Sequence, residues 1–156
     1  KRQLMSLVPA AVRATGLPVI AAGGIASAEQ VNALLAMGAA GVSVGTALLT
    51  TAESSACDAH RYYAEFGTAC DTVLTRIYNG RLSRVLRNAL VEALDDWELM
   101  TAGYPAQKAL MGPLDRCASE VGRNDLVMLP LGQSAGRSAY RRTADCVHAL
   151  FPRRAD

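Results

Sequence analysis

Leu17-Pro18-Val19-Ile20-Ala21-Ala22-Gly23-Gly24-Ile25-Ala26 is answered, one helical segment later, by Gly41-Val42-Ser43-Val44-Gly45-Thr46. Each stretch is a short apolar run that stops at glycine, as a parallel strand buried on both faces does where its βα loop begins. Between them, Ser27 is placed to cap a helix and Gln30, three residues on, completes a capping box. Val31, Leu34, Leu35 and Met37 supply that helix's buried face, Gly38 closes it, and Ala39 to Val44 form the next strand. A βαβ repeat with short loops implies a parallel sheet and a right-handed crossover. The two glycine-ended loops therefore follow adjacent strands, at the end of an α/β fold where function collects.

A phosphate dianion needs converging backbone N–H donors, and a glycine loop entering a helix N-terminus provides them together with the favourable end of the helix dipole. Gly23-Gly24 before the Ser27-capped helix meets that need, because a Cβ would hold the backbone away from phosphate oxygens and a loop position can require positive φ. Gly45-Thr46 offers the same again with a hydroxyl added. A lone pair of glycines after a strand is also explained by close helix–strand packing. Two such loops separated by one βα unit match the phosphate site of a (β/α)8 barrel, built from the loops after its last two strands. The spacing is not the dinucleotide fingerprint G-x-G-x-x-G, and no Gly-Lys-Ser/Thr ending marks a Walker motif. A mononucleotide or sugar-phosphate is the ligand class that remains.

Working outward, the segment up to Thr15 predicts a core-facing helix with Leu4, Leu7, Val8, Ala11 and Val12 on one stripe, ended by Gly16. Beyond Thr46, Ala47 to Leu49 predict a short helical turn, residues 53–55 a polar loop, and Cys57 to Phe66 a helix carrying Tyr62 and Tyr63. A third strand is expected at Asp71 to Ile77, followed by an Asn79-Gly80 turn. Leu82, Val85, Leu86, Ala89, Leu90, Ala93 and Leu94 recur at helical spacing through about Trp97. Tyr104-Pro105 starts a further helical segment that Gly112-Pro113 should interrupt before it resumes to Glu120. Residues 122–130 read as a connection, Gly132-Gln133-Ser134-Ala135-Gly136 as a small-residue loop, and Ala139 to Phe151 as a last helix. The expectation is one partial domain over residues 1–156, with barrel βα units over about 1–78 and a helical region over about 79–156.

Composition limits the function classes. The 156 residues are 51% hydrophobic and 19% charged with net charge +2, an ordinary globular balance that is too mildly basic to imply nucleic acid. The short basic clusters Arg137/Arg141/Arg142 and Arg153/Arg154 read as solvated surface. No apolar run reaches the ~18 to 20 residues of a membrane span. Cys57, Cys70, Cys117 and Cys146 never form a CxxC pair, and His60 and His148 lie far apart, so neither zinc nor a disulfide framework is indicated and no metal site is expected. Reduced cysteines and the absence of a signal-peptide plan point to a cytoplasmic protein. Because the chain opens Lys1-Arg2-Gln3 directly into a core-facing helix, it is expected to start partway through its fold.

The run from Pro18 to Ala26, then Met37-Gly38-Ala39-Ala40-Gly41-Val42-Ser43-Val44-Gly45-Thr46-Ala47-Leu48-Leu49-Thr50-Thr51-Ala52-Glu53-Ser54, resembles the nitronate monooxygenase family, also known as 2-nitropropane dioxygenases. Thr72-Val73-Leu74-Thr75-Arg76, the stretch from Gly80-Arg81 to Leu86-Arg87-Asn88, Tyr104-Pro105 and Gly132-Gln133-Ser134-Ala135-Gly136 continue the resemblance in family order. It covers most of the chain and corresponds to the carboxy-terminal part of a family member. The resemblance implies α/β architecture: the C-terminal portion of a (β/α)8 TIM barrel with extra C-terminal helices. It implies FMN as a non-covalent cofactor, with phosphate contacts from Gly24 and Ser43-Val44-Gly45-Thr46, Gly23 supporting the turn, and Gln133-Ser134 approaching the flavin or substrate. Where the family often carries Gln-Met-Gly-Thr, this chain has Ser43-Val44-Gly45-Thr46, so a glutamine contact is lost while a serine donor remains.

The implied activity is oxidation of alkyl nitronates with molecular oxygen, the flavin supplying the redox chemistry. The family's Gly-Gly-His motif is absent from this chain, so the catalytic residue is unknown. His60 and His148 lie in unrelated surroundings, and Arg76 and Arg87 read as structural salt-bridge partners. Tyr62, Tyr63, Tyr104 and Tyr140 are candidates either to line an apolar pocket or simply to pack. Alternatives with the same cradle are an FMN barrel acting as an enoyl-acyl carrier protein reductase or an NADPH:quinone reductase, and a non-catalytic remnant. With so few strands the barrel cannot close, so the isolated polypeptide is expected neither to bind FMN tightly nor to turn over. The expected partners are small molecules, with no nucleic acid and no membrane; oligomeric state is open.

Overall fold

The computed structural model describes residues 3–137 and 139–152. In chain order it contains α1 (Leu4–Thr15), β1 (Ile20–Ala22), α2 (Ala28–Ala36), β2 (Gly41–Ser43), a 3-10 turn (Thr46–Leu48), α3 (Asp58–Phe66) and a second 3-10 turn (Ala69–Asp71). There follow β3 (Thr72–Thr75), β4 (Ser83–Leu86), α4 (Ala89–Leu94), a 3-10 segment (Asp95–Met100), α5 (Ala106–Glu120) and α6 (Thr143–Leu150). These elements fall into two units: the described residues up to Gly67 together with those from Gln133 onward, and residues 68–132. The basic pair Arg153/Arg154 lies outside the described residues.

In the first unit β1 and β2 are parallel, with Ile20, Ala21 and Ala22 opposite Gly41, Val42 and Ser43. The expected βαβ unit is therefore present. Its core gathers Val8 from α1, Ala21 and Ile25 from the first strand and loop, Val31 and Leu34 from α2, and Ala47, Cys146 and Leu150. Leu7 and Leu35, expected on buried stripes, are 44% and 40% exposed. The real contact stripes run Leu4–Val8–Val12 and Val31–Leu34, narrower than the hydrophobic pattern because a short sheet offers each helix little surface. The strands also depart from burial on both faces. Ala21 is 2% exposed but Ile20 is 59% exposed and Ala22 is exposed, so only one face of β1 is covered.

The second unit is built on an antiparallel pair, β3 with β4, in register from Thr72 opposite Leu86 to Thr75 opposite Ser83. The strand expected at Asp71 to Ile77 is present as the shorter Thr72–Thr75, and one expectation is corrected: the helix expected from Leu82 begins only at Ala89. The apolar spacing from Leu82 to Ala89 suits a helix, but tertiary pairing overrides it. Val85 is fully buried opposite Val73 and also bridges to Pro130. Helix α4 then restarts at Asn88, whose side-chain oxygen accepts the Val91 N–H at 3.1 Å. The Asn88 amide also donates to the Val127 carbonyl at 3.0 Å, and the Tyr78 hydroxyl lies within hydrogen-bond distance of Asn88, so a buried polar knot sits beside Ile77, Val85 and Val91.

Helix α5 runs without interruption through Gly112-Pro113. An internal proline costs roughly 3 kcal/mol or more, and both halves are anchored against that cost. Before Pro113, the buried Gln107 side chain accepts the Ala102 N–H and donates to the Ile77 carbonyl. After it, Asp115 accepts the Met128 N–H at 2.7 Å and Ala118 is buried. Helix α6 starts at Thr143, later than the expected Ala139. No helix among the described residues is long and apolar enough to cross a membrane.

Candidate functional site

All the residues singled out as cofactor-binding lie in the first unit. At the end of β1 the chain turns through Gly23 and Gly24, with φ of 111° and 68°. Both values lie where side chains are disfavoured, and among the described residues nothing beyond the adjacent ones lies within 4 Å of where a Cβ would stand. Glycine is thus required by backbone conformation, and the space above it is open. No intrachain hydrogen bond engages Gly24 or Ile25 among the described residues. The next N–H, that of Ala26, is already taken: it donates to the Gln30 side-chain oxygen at 2.7 Å. Ser27 caps α2 as expected, accepting the Gln30 N–H at 3.4 Å. The reciprocal half of the capping box has moved back one residue, from Ser27 to Ala26.

A cavity of about 440 Å³ opens on this turn, lined by Gly23, Gly24, Gln133, Ser134, Glu29 and Arg137 among others. The geometry therefore joins the first glycine loop to the expected Gln133-Ser134 segment, far apart in sequence. Ser134 is buried and Gln133 exposed. Gly136 fixes how this segment lies: its φ is 73°, its N–H donates to the Ala64 carbonyl at 2.9 Å, and a Cβ there would run into the Gly67 carbonyl.

The second loop differs. Ser43, Val44, Gly45 and Thr46 do not line the cavity. Gly45 has φ −119°, a conformation open to any residue, and again nothing among the described residues beyond the adjacent ones stands within 4 Å of its Cβ position. The turn at Thr46–Leu48 is closed by the Leu48 N–H to the Gly45 carbonyl at 2.9 Å and the Leu49 N–H to the Thr46 carbonyl at 3.2 Å. Ser43 and Gly45 are exposed and Thr46 is half-buried.

Among the described residues Arg137 and Glu29 are the charged side chains that line the cavity, and the sequence pattern points to neither as binding. In sequence Arg137 reads as solvated surface with Arg141 and Arg142, although it stands three residues after Ser134. Its backbone N–H donates to the Ser134 carbonyl at 3.1 Å. The Ser27 hydroxyl beside Glu29 and the Glu29 backbone hold that carboxyl below its ordinary value, so it is an anion at neutral pH.

The other candidates lie elsewhere. Tyr62 packs against Tyr63 and Phe66 with centroids 5.4 and 5.3 Å apart. Tyr104 lies under the Arg81 guanidinium at 3.8 Å, and Tyr140 packs against the first unit's core. None of the four tyrosines lines the glycine cavity. Arg76 and Arg87 are not salt-bridge partners among the described residues; the ion pairs there are Arg123–Asp125 and Arg142–Asp145. Instead, the Arg76 N–H donates to the Glu98 carboxylate and the Arg87 N–H to the Asp71 carbonyl, because both arginines are held through the backbone. No disulfide joins the cysteines among the described residues; Cys146 is buried and Cys57, Cys70 and Cys117 are exposed.

Comparison with known proteins places the chain in a family. The nitronate monooxygenase family profile matches residues 1–150. A protein of Staphylococcus aureus (strain Newman) named probable nitronate monooxygenase is 36% identical over 130 residues, covering 83% of this chain and 37% of its own length. Among solved structures, nitroalkane oxidase from Streptomyces ansochromogenes superposes with a TM-score of 0.85 at 33% identity, over 94% of this chain and 42% of that one. FabK from Thermotoga maritima gives a TM-score of 0.78 at 28% identity, over 96% and 48%. The chain thus spans between 37% and 48% of the length of these relatives. Matched by the family profile over nearly all its residues, the chain belongs to the nitronate monooxygenase family.

Proposed function

We propose that this chain supplies the phosphate-binding part of an FMN-dependent oxidoreductase that oxidises alkyl nitronates with molecular oxygen, as the C-terminal portion of a (β/α)8 barrel. The observation that carries the reading is the Gly23-Gly24 turn. Two consecutive positive-φ glycines end a parallel strand, face open space, and enter a helix N-terminus in a chain of this family. The residues fit a phosphate group: side chains at Gly23 and Gly24 would fill the cradle, and the unengaged backbone N–H groups of Gly24 and Ile25 are the donors a dianion requires. The one-sided burial of β1 also suits a strand whose other face turns toward a barrel interior.

In this reading Gly23, Gly24, Ser43, Val44, Gly45 and Thr46 hold the phosphate end, while Gln133 and Ser134 bound the cavity toward the flavin or substrate. Arg137 adds a positive charge to the same wall, and the Ser27-capped helix presents its positive end. When bound, FMN supplies the redox chemistry; these residues bind and orient it.

The test is flavin titration of the full-length protein, comparing FMN with riboflavin, which lacks the phosphate. Loss of two charge-assisted hydrogen bonds at about 1.5 kcal/mol each predicts roughly a hundredfold preference for FMN. Equal affinity would remove the phosphate reading. Oxygen uptake with ethyl nitronate, set against NADPH oxidation with a quinone or an enoyl thioester, then decides between the monooxygenase and the reductases. Finding neither activity in a flavin-loaded protein would leave the non-catalytic reading.

A further inference from the structure

Helix α6 lacks a cap of its own: Arg142 occupies the N-cap position with extended backbone, and its side chain has no acceptor to offer a first-turn N–H. The cap comes from ninety residues away. The Glu53 carboxylate accepts the Thr143 N–H at 3.1 Å and lies 3.2 Å from the Thr143 hydroxyl. That hydroxyl is 3.3 Å from the Thr51 hydroxyl, which donates to the Leu48 carbonyl at 2.9 Å, the last residue of the turn that begins at Thr46.

Neighbouring ties run in parallel. The Thr50 side-chain oxygen sits 3.2 Å from both the carbonyl oxygen and the backbone nitrogen of Tyr140, and the Ala52 N–H donates to the Arg141 carbonyl at 2.9 Å. Deeper in the core, the Cys146 thiol lies 3.9 Å from the carbonyl oxygen of Ala47. From the other side, the Arg61 guanidinium donates to the carbonyls of Thr51, Ser54 and Ala56. The second glycine loop has no positive-φ glycine, and residues 50–53 just after it are tied to Tyr140, Arg141 and Thr143 at and before the start of α6.

We propose that Glu53, acting through Thr143 and Thr51, is a positioning residue for the second glycine loop: it caps α6 and thereby holds the turn at Thr46–Leu48 where a cofactor phosphate would meet Gly45 and Thr46. The phosphate part of this rests on the function proposed above. A carboxylate at a helix N-terminus gains from both the open N–H groups and the dipole. Its neighbours reinforce it: the backbone N–H groups of Glu53 and Thr143, and more weakly Arg142, favour its charged form, and Arg142 is itself held at 3.1 Å by Asp145.

Amide hydrogen exchange on the flavin-free full chain tests the clamp. The amides of Leu48, Leu49 and Thr51 report the turn, donating to the carbonyls of Gly45, Thr46 and Leu48. Those of Val31 and Met37 in and after α2 are the controls. Glu53→Ala and Thr143→Val are expected to speed exchange at the three turn amides about tenfold, the equivalent of one charge-assisted hydrogen bond, with the controls unchanged. Glu53→Gln and Thr143→Ser, which keep the acceptor and the hydroxyl, should restore most of the protection.

Flavin titration reads the consequence: Glu53→Ala should erode the preference for FMN over riboflavin about tenfold, and Glu53→Gln should recover it. Unchanged exchange at the turn, or equal acceleration at the α2 controls, overturns the proposal whatever the flavin result. If the turn loosens as expected but the FMN preference stays intact, the phosphate role of Glu53 is refuted. A wild-type protein with no preference for FMN refutes instead the phosphate reading on which that role depends.

Discussion

Gly23-Gly24 and Gly45-Thr46 end neighbouring parallel strands and read almost alike in sequence, yet the structure secures them by opposite means. The first loop is shaped from within, by two residues at positive φ that only glycine adopts readily, and it opens on a cavity. The second uses a φ of −119° that any residue can adopt and takes its position from residues 50–53 held against α6. A glycine kept for conformation and a glycine kept for access are thus different kinds of evidence. The first is tested by stability and the second by ligand binding.

The largest effect should come from the first loop. Gly23→Ala places a Cβ at φ 111°, outside even the left-handed helical region, and should cost roughly 1–3 kcal/mol of stability. Gly24→Ala, at φ 68°, should cost about 1–2 kcal/mol. Urea unfolding of the full chain measures both, and a cost near zero at either position would show that the turn relaxes to an ordinary conformation.

Gly45→Ala is the contrasting variant. With nothing within 4 Å of the added methyl and no strain in φ, it should alter stability by less than about 0.5 kcal/mol. If the open space at Gly45 is phosphate space, FMN affinity should nevertheless fall about tenfold while riboflavin affinity holds, a loss near 1.4 kcal/mol. An unchanged FMN titration would assign the phosphate to the first loop alone.

This contrast also marks how far the sequence could be read. Gly-Gly before a Ser-x-x-Gln cap announces its own geometry, because positive φ and N-capping are local properties, and both were found in place. Residue Gly45 looked equivalent because the letters are the same; its different role depends on Glu53 and Thr143, ninety residues apart, which no local pattern connects. The same limit explains the missed strand β4. From Leu82 to Ala89 the apolar spacing satisfies a helix, and only the partner strand with Val73 decides otherwise. Arg137 escaped notice for a related reason: its neighbours in sequence are surface arginines, whereas its neighbours in space are Gly23, Gly24 and Ser134.

Arg137→Gln should act more weakly than either glycine change in the loops. The side chain is exposed and its charge is screened by solvent, so a loss of about two- to fivefold in FMN affinity is expected, within the usual range for exposed ion pairs. Raising ionic strength should shrink the difference between wild type and variant. A loss that persists at high salt would mean that Arg137 contributes packing or a hydrogen bond rather than charge.

The smallest expected effect has the opposite sign. Glu29 puts a negative charge on the cavity that Arg137 and the α2 N-terminus make favourable to anions. The Ser27 hydroxyl and the Glu29 backbone depress its carboxyl, which therefore stays ionised through the neutral range and favours the folded helix there. A depressed folded value means that this stabilisation is fully present above the ordinary glutamate range and is lost as the pH falls through the lower folded value. Glu29→Gln should remove that part of the acid limb of the stability profile. It should also tighten FMN binding about twofold at neutral pH, because one like charge no longer faces the phosphate. The two consequences separate the roles: a flatter acid limb without tighter binding would make Glu29 a helix-dipole partner only, and would place the bound phosphate beyond the reach of its charge.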